Sequence, residues 1–247
     1  STLSAVSAWT NRVEIIATVS ILTMHNPILS AKQFATIDML AEGRFTLGVG
    51  VGGREEDYTA INSNWSDRRW ATLAKNVKTM KSVWSKDYHK EMGPNTFSKA
   101  GPQILAGAVG PKAMSMSADF AMGLAGFSFN ADLKEINDSF NRVKEAFSQK
   151  KISPRLITSF WFGLGDTGRD DIKTHLTRYL GWMGEDLAKN LSAIAGFSGN
   201  QNDLYNFLVE IKELGATDAL LVPTSKDISQ LSMAEEVVSK FNQESSD

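Results

Sequence analysis

Gly48, Gly50 and Gly53 stand in a G-x-G-x-x-G spacing at the end of an apolar run. Lacking Cβ atoms, such a turn lets backbone N–H groups approach a pyrophosphate at a helix N-terminus. A dinucleotide site also needs a helix to begin at once, and a strand ending in an acid about 20 residues further on. Here Gly53 is followed by the polar run REEDYTAINSNW, and Asp67 stands at a predicted helix start. The context therefore argues against a Rossmann site. Two readings remain open. The glycines relieve crowding inside a barrel, which suits Gly48 within the strand. Or they line a site at the strand's exit, which suits Gly50, Gly52 and Gly53.

Few other side chains offer chemistry. There are three histidines and no cysteine, so disulfides, thiolate metal sites and a cysteine nucleophile are excluded. His25 follows an apolar run and would face the mouth of a barrel, either as a substrate or cofactor contact or as a turn residue capping the next helix. His89 falls in a loop and His175 in the middle of a helix, where both read as surface. No spacing suggests a metal site. Trp161 and Phe162 lie near the end of a strand and read first as core, second as a wall for a ring or apolar substrate. Arg54, Glu55, Glu56 and Asp57 read as a solvated loop. The 247 residues are 42% hydrophobic and 22% charged, with a net charge of −2 and no basic run. That composition points away from nucleic-acid and membrane surfaces. No apolar stretch reaches the roughly 18 residues of a membrane span. The absence of cysteine and of a signal peptide fits a cytoplasmic protein.

The elements that must position these residues alternate between strand and helix, the pattern of parallel strands with crossover helices. The predicted strands are Arg12–Ile21, Arg44–Val51, Gln103–Val109, Phe120–Phe127, Arg155–Leu164 and Asp218–Thr224. Helices are predicted over Ile28–Ala41, Asp67–Ser85, a short segment opened by Gly110-Pro111, Asp132–Gln149, a long region Arg169–Ala195, Gln201–Leu214 and Ile228–Phe241. Residues 86–101 read as an inserted loop. The whole chain, 1–247, reads as one α/β domain.

The run His25 to Tyr58 resembles the luciferase-like monooxygenase superfamily. The resemblance rests on Ala31-Lys32-Gln33, Thr36-Ile37-Asp38, Leu40, Gly43-Arg44 and Leu47-Gly48-Val49-Gly50, and weaker matches run from Thr10 to the LYNFLVEIKELGATDALLVPT segment. It implies a TIM (β/α)8-type barrel of which about six βα units, the third to the eighth, are present. It also implies that the first two units, whose second strand holds the usual catalytic residues, lie outside this sequence.

The resemblance further implies FMN or a deazaflavin coenzyme at the strand C-termini. It implies a small-molecule substrate, a separate flavin reductase in some members, and a homodimer. A non-proline cis peptide is implied at Thr18–Val19, beneath the cofactor ring. Gly50-Val51-Gly52 matches the backbone lining the cofactor, and Ala108-Val109-Gly110-Pro111 matches the phosphate loop, with Lys112 beside it. Luciferases carry an arginine near the place of Val51, and its absence here counts against a luciferase-type phosphate site. The Gly-Pro-Lys wording tilts toward the deazaflavin branch. The expected function is monooxygenation or hydride transfer on a small organic substrate. The alternative is a flavin-binding or degenerate barrel protein without catalysis.

Overall fold

A computed structural model describes residues 2–244. The described residues divide into two compact units, one of residues up to 125 with 142–155, the other of 126–141 with those from 156 onward.

In the first unit, α1 (Thr2–Trp9) leads into β1 (Ile15–Ile21) and, through a 3-10 turn at Leu22–Met24, into α2 (Pro27–Leu40). β2 (Phe45–Gly50), α3 (Glu55–Ala60), α4 (Arg69–Trp84), β3 (Gln103–Ala106), α5 (Pro111–Ser117) and β4 (Gly123–Ala125) follow. β1 to β4 pair in sequence order, all parallel. Every residue of β2 is buried, which fits its nearly continuous apolar run, since a central parallel strand is covered on both faces.

α2 starts where the sequence sets its start. The Asn26 side chain accepts from the Ile28 and Leu29 amides at 2.9 and 3.2 Å, and Pro27 occupies the first turn. The helix stops at Glu42 and Gly43, both with positive φ. α4 buries Leu73, Val77, Met80 and Trp84, the three- and four-residue spacing of one apolar stripe.

Two residues of the sequence signature act as clamps here. Arg44 donates to the carbonyls of Ser7, Thr10 and Val13 and to the Thr10 hydroxyl, fastening the end of α1. Asp38 is fully buried and accepts from the Ser98 amide at 2.8 Å and its hydroxyl at 3.0 Å. Residues 86–101 carry no helix or strand beyond one bridge, Lys99 to Gly101.

In the second unit, β5 (Arg155–Leu164) is flanked by β6 (Phe197–Gly199) on one side and β7 (Asp218–Pro223) on the other, both parallel. Its helices are α7 (Gly168–Tyr179), α8 (Glu185–Ile194), α9 (Gln201–Glu213) and α10 (Ile228–Glu244), while α6 (Leu133–Ser148) begins here and ends among the residues of the first unit. The Gln230 amide of α10 both donates to the Leu164 carbonyl and accepts from its N–H, closing the end of β5 as a neighbouring strand would. Asn200 and Asp203 form a capping box on α9.

Besides β1, β3 and β4, which are shorter than the sequence predicts, four features depart from the sequence reading. α1 and β6 are additional elements. The acidic stretch after Gly53 is helical rather than a loop, because Glu55, Glu56 and Asp57 fill the first turn of α3, where carboxylates favour a helix N-terminus. The long helical region 169–195 is broken by a 3-10 turn at Gly181–Met183 and by Gly184, whose φ of +98° no helix accommodates.

Candidate functional site at the β1 bulge

The strands of the first unit converge on one irregularity. β1 runs in register with β2 from Ile15 opposite Phe45 to Ala17 opposite Leu47, then resumes with Ser20 opposite Val49. Thr18 and Val19 bulge between them, and the peptide bond joining them is cis, as the resemblance implies. A bulge of this kind re-aims a side chain out of the strand's normal alternation.

The re-aimed side chain is Val19, and three glycines make room for it. A Cβ on Gly48 would lie 2.2 Å from the Ala17 carbonyl oxygen and 3.2 Å from Val19 Cγ1. A Cβ on Gly50 would lie 2.8 Å from Val19 Cγ2, and one on Gly107 3.0 Å from Val19 Cγ1. Val19 therefore occupies the space that side chains of β2 and of the residue after β3 would fill. It remains 37% exposed. Of the two readings of the glycine turn, crowding explains Gly48 outright. Gly50 serves the bulge as well, while Gly52 holds a φ of +68° with Ile21 packed against it.

The exit of β2 is tied down by a residue whose role the sequence concealed. Tyr58 of α3 is buried, and its hydroxyl donates to the Val51 carbonyl at 2.5 Å while hydrogen-bonding to the Thr23 hydroxyl. It thereby links the backbone after Gly50 to the turn after β1. Trp65 packs edge-on against Tyr58 at 5.1 Å, and the Arg69 guanidinium covers Trp65 at 3.5 Å from the ring centroid. Asn76 of α4 reaches the Leu22 carbonyl at 3.2 Å, holding the same turn from behind.

Beside this bulge, Ala108 is buried, whereas Val109 is 82% exposed and Gly110 and Pro111 open α5. No side chain caps α5, and nothing lies within 4 Å of where a Gly110 Cβ would stand. Lys112 is exposed. His25 is exposed in extended backbone after the 3-10 turn, and the capping of α2 is done by Asn26. His89 is exposed in residues 86–101 and accepts from the Glu91 amide at 3.2 Å. Among the described residues no cluster of three or more histidines, cysteines or carboxylates could hold a metal ion, and no helix is long and apolar enough to cross a membrane.

In the second unit Trp161 and Phe162 are buried. Trp161 takes Phe127, Phe129 and Tyr179 edge-on at centroid distances of 4.5, 5.3 and 6.1 Å, so its first role is core. His175 is half-buried rather than superficial, stacked on Tyr179 at 6.0 Å. Desolvation, with a smaller contribution from Arg178, lowers its pKa below the ordinary histidine value.

Of the features that carry the sequence resemblance, Gly48 and Gly50 meet Val19 at this bulge, while Asp38 and Arg44 act near the start of β2. Residues 1–220 match the profile of the luciferase-like monooxygenases. The chain belongs to the luciferase-like monooxygenase family. An F420-dependent glucose-6-phosphate dehydrogenase of Segniliparus rotundus is 35% identical over 112 residues, 41% of this chain and 33% of that protein. The pyrimidine monooxygenase RutA of Serratia proteamaculans is 26% identical over 147 residues, 57% of this chain and 38% of that protein. The chain thus matches well under half the length of either relative. Among solved structures, an F420-dependent secondary alcohol dehydrogenase in complex with an F420–acetone adduct superposes with a TM-score of 0.74 at 16% identity, covering 95% of this chain and 81% of the other. The fold is accordingly that of the luciferase-like TIM barrels, of which this chain carries a parallel βα portion.

The site's surface fits a flavin-type ring. Val19 covers Gly48, Gly50 and Gly107, and its exposed face is the apolar surface the site offers such a ring.

Proposed function

We propose that this luciferase-like chain carries the cofactor-binding part of an oxidoreductase that uses a deazaflavin or FMN on a small organic substrate. The observation that carries the reading is the Val19 bulge seated on Gly48, Gly50 and Gly107. A planar ring can rest on the exposed apolar face of Val19, which the three glycines seat.

In this reading Thr18 and Val19 support one face of the ring. The backbone of Gly50, Val51 and Gly52 lines its edge, held in position by Tyr58. Ala108, Val109, Gly110 and Pro111 receive the cofactor's polar tail, and Lys112 stands next to them. The bound coenzyme supplies hydride transfer if it is a deazaflavin and oxygen-dependent chemistry if it is reduced FMN; the protein orients the ring and excludes water. His25, exposed beside the same turn, is the residue of this chain best placed to meet substrate. The F420-dependent relatives favour a deazaflavin, as does the lack of an arginine at Val51.

The reading extends to a homodimer in the cytoplasm and, with FMN, to a separate flavin reductase. Turnover separates the two chemistries. With reduced deazaflavin or FMN supplied to the natural protein, hydride exchange with an alcohol or sugar phosphate under argon supports the first, and substrate-dependent oxygen uptake the second. Neither activity across a broad substrate panel would leave a binding protein and contradict the enzyme reading.

A further inference from the structure

A second cavity, of about 910 Å³, lies wholly within the first unit, at the opposite end of its strands from the Val19 bulge. Phe45 and Gln103, the first residues of β2 and β3, line it, as does Met122 just before β4. The length of β2 separates it from Gly50 by roughly 17 Å. It is an open groove on the surface rather than a closed packing defect.

The cavity's chemistry is uneven. Phe45, Ile104, Phe120 and Met122 give it apolar surface. Lys78 and Lys81 enter from adjacent turns of α4, and Lys99 from the facing segment. Arg155 also lines it, but Arg155 grips Glu14 through both nitrogens, at 2.7 and 2.8 Å, so that charge is met. Asp87 is the one other lining carboxylate and accepts from the Ser85 hydroxyl at 2.6 Å. Lys78 and Lys99 have no carboxylate partner among the described residues. Lys81 spends one of its three donors on the Phe120 carbonyl at 2.8 Å, and burial lowers its pKa. Beyond the Arg155–Glu14 pair, three lysines and a single carboxylate, Asp87, line the cavity, a local positive excess among the lining residues.

The facing wall is preformed. Asp38 holds Ser98 by two hydrogen bonds. Gly101 is pressed onto Trp84 so closely that a Cβ would fall 2.2 Å from the ring, and its φ is +88°. Trp84 is itself anchored by donation to the Ala31 carbonyl at 2.9 Å. The backbone of residues 98–101 is thus held before any ligand arrives.

We propose that this cavity binds a small organic anion, a phosphate monoester or a carboxylate with an apolar body, independently of the cofactor site. The anion is met by Lys78, Lys81 and Lys99 and the apolar body lies against Phe45, Phe120 and Met122.

Phenyl phosphate and benzoate are suitable probes, read by the methyl resonances of 13C-methionine-labelled protein. Met122 lines the cavity and Met114 lies in α5 beside the cofactor loop. Phenyl phosphate or benzoate should shift Met122 saturably and leave Met114 unmoved, the tighter of the two naming the anion. The K78Q/K99Q protein should bind about tenfold more weakly, with its melting temperature unchanged, because each of the two lost charge-assisted contacts removes a factor of about three or more. Phenol should not bind. A shift at Met114 with Met122 unmoved, equal binding by the double variant, or no shift with either anion would overturn the proposal.

Discussion

Tyr58 shows how one hydroxyl can set the geometry of a site it does not enter. Its ring is held by Trp65 and by burial, so Tyr58→Phe keeps the packing and deletes only the bonds to Val51 and Thr23. Leaving the Val51 carbonyl without its donor should cost about 1–2 kcal/mol in chemical denaturation. The same change should weaken cofactor affinity severalfold, because the backbone after Gly50 loses its tether. A stability loss with unaltered cofactor affinity would make Tyr58 a packing residue only. His175 allows a second test at this scale. Its folded-state pKa lies below the unfolded value, so between those two values the unfolded chain binds more protons than the native one. The stability His175 contributes is therefore present above the unfolded pKa and is lost as pH falls through the folded one. The melting temperature of the natural protein should fall more steeply below pH 6.5 than that of His175→Gln, measured side by side. Parallel curves would show that His175 does not couple to folding.

At the scale of elements, the signature residues divide their labour between holding and exposing. Arg44 satisfies carbonyls at the frayed end of α1, a helix of eight residues too short to stand alone. Arg44→Met should cost about 2 kcal/mol. Hydrogen exchange should accelerate in residues 3–10 far more than in β2; uniform acceleration would mean that Arg44 supports the whole unit rather than α1. The elements the sequence did not disclose share a physical reason. β6 has three residues, below the length at which alternation can be read, and it exists because Phe162, Gly163 and Leu164 offer it a ladder. α1 is built from small and polar residues with a weak apolar stripe, so its helicity comes from Arg44, which lies 34 residues beyond the carbonyl it bonds at Thr10. The break in 169–195 was visible as Gly181 and Gly184, yet only the backbone at Gly184 shows that the glycine is used.

Across the whole chain, the fold was legible because buried parallel strands announce themselves as apolar runs: β2 and β5 fall within a residue or so of their expected bounds. The bulge was legible too, although from likeness to a family rather than from the residues, since nothing in Ala17-Thr18-Val19-Ser20 by itself predicts it. Tyr58 was not legible. Its partners lie at Thr23 and Val51, and a tyrosine in an acidic run carries no local sign of a tether. The same holds for Asp38 with Ser98, 60 residues apart, and Glu14 with Arg155, 141 apart. Such pairs form because folding brings them together, and a single sequence records neither partner's choice.

The central claim is that a flavin-type ring rests against Val19 over the glycines of β2. The most direct measurement is a fluorescence titration of the natural protein with F420 and with FMN, alongside Gly50→Val. A valine there must displace Val19, whose Cγ2 lies 2.8 Å from where even a Cβ would stand. Saturable binding of one of the two coenzymes, weakened about tenfold or more by Gly50→Val in a protein that still folds, is the result expected. Equal binding by the variant, or no binding of either coenzyme by the natural protein, would contradict the account.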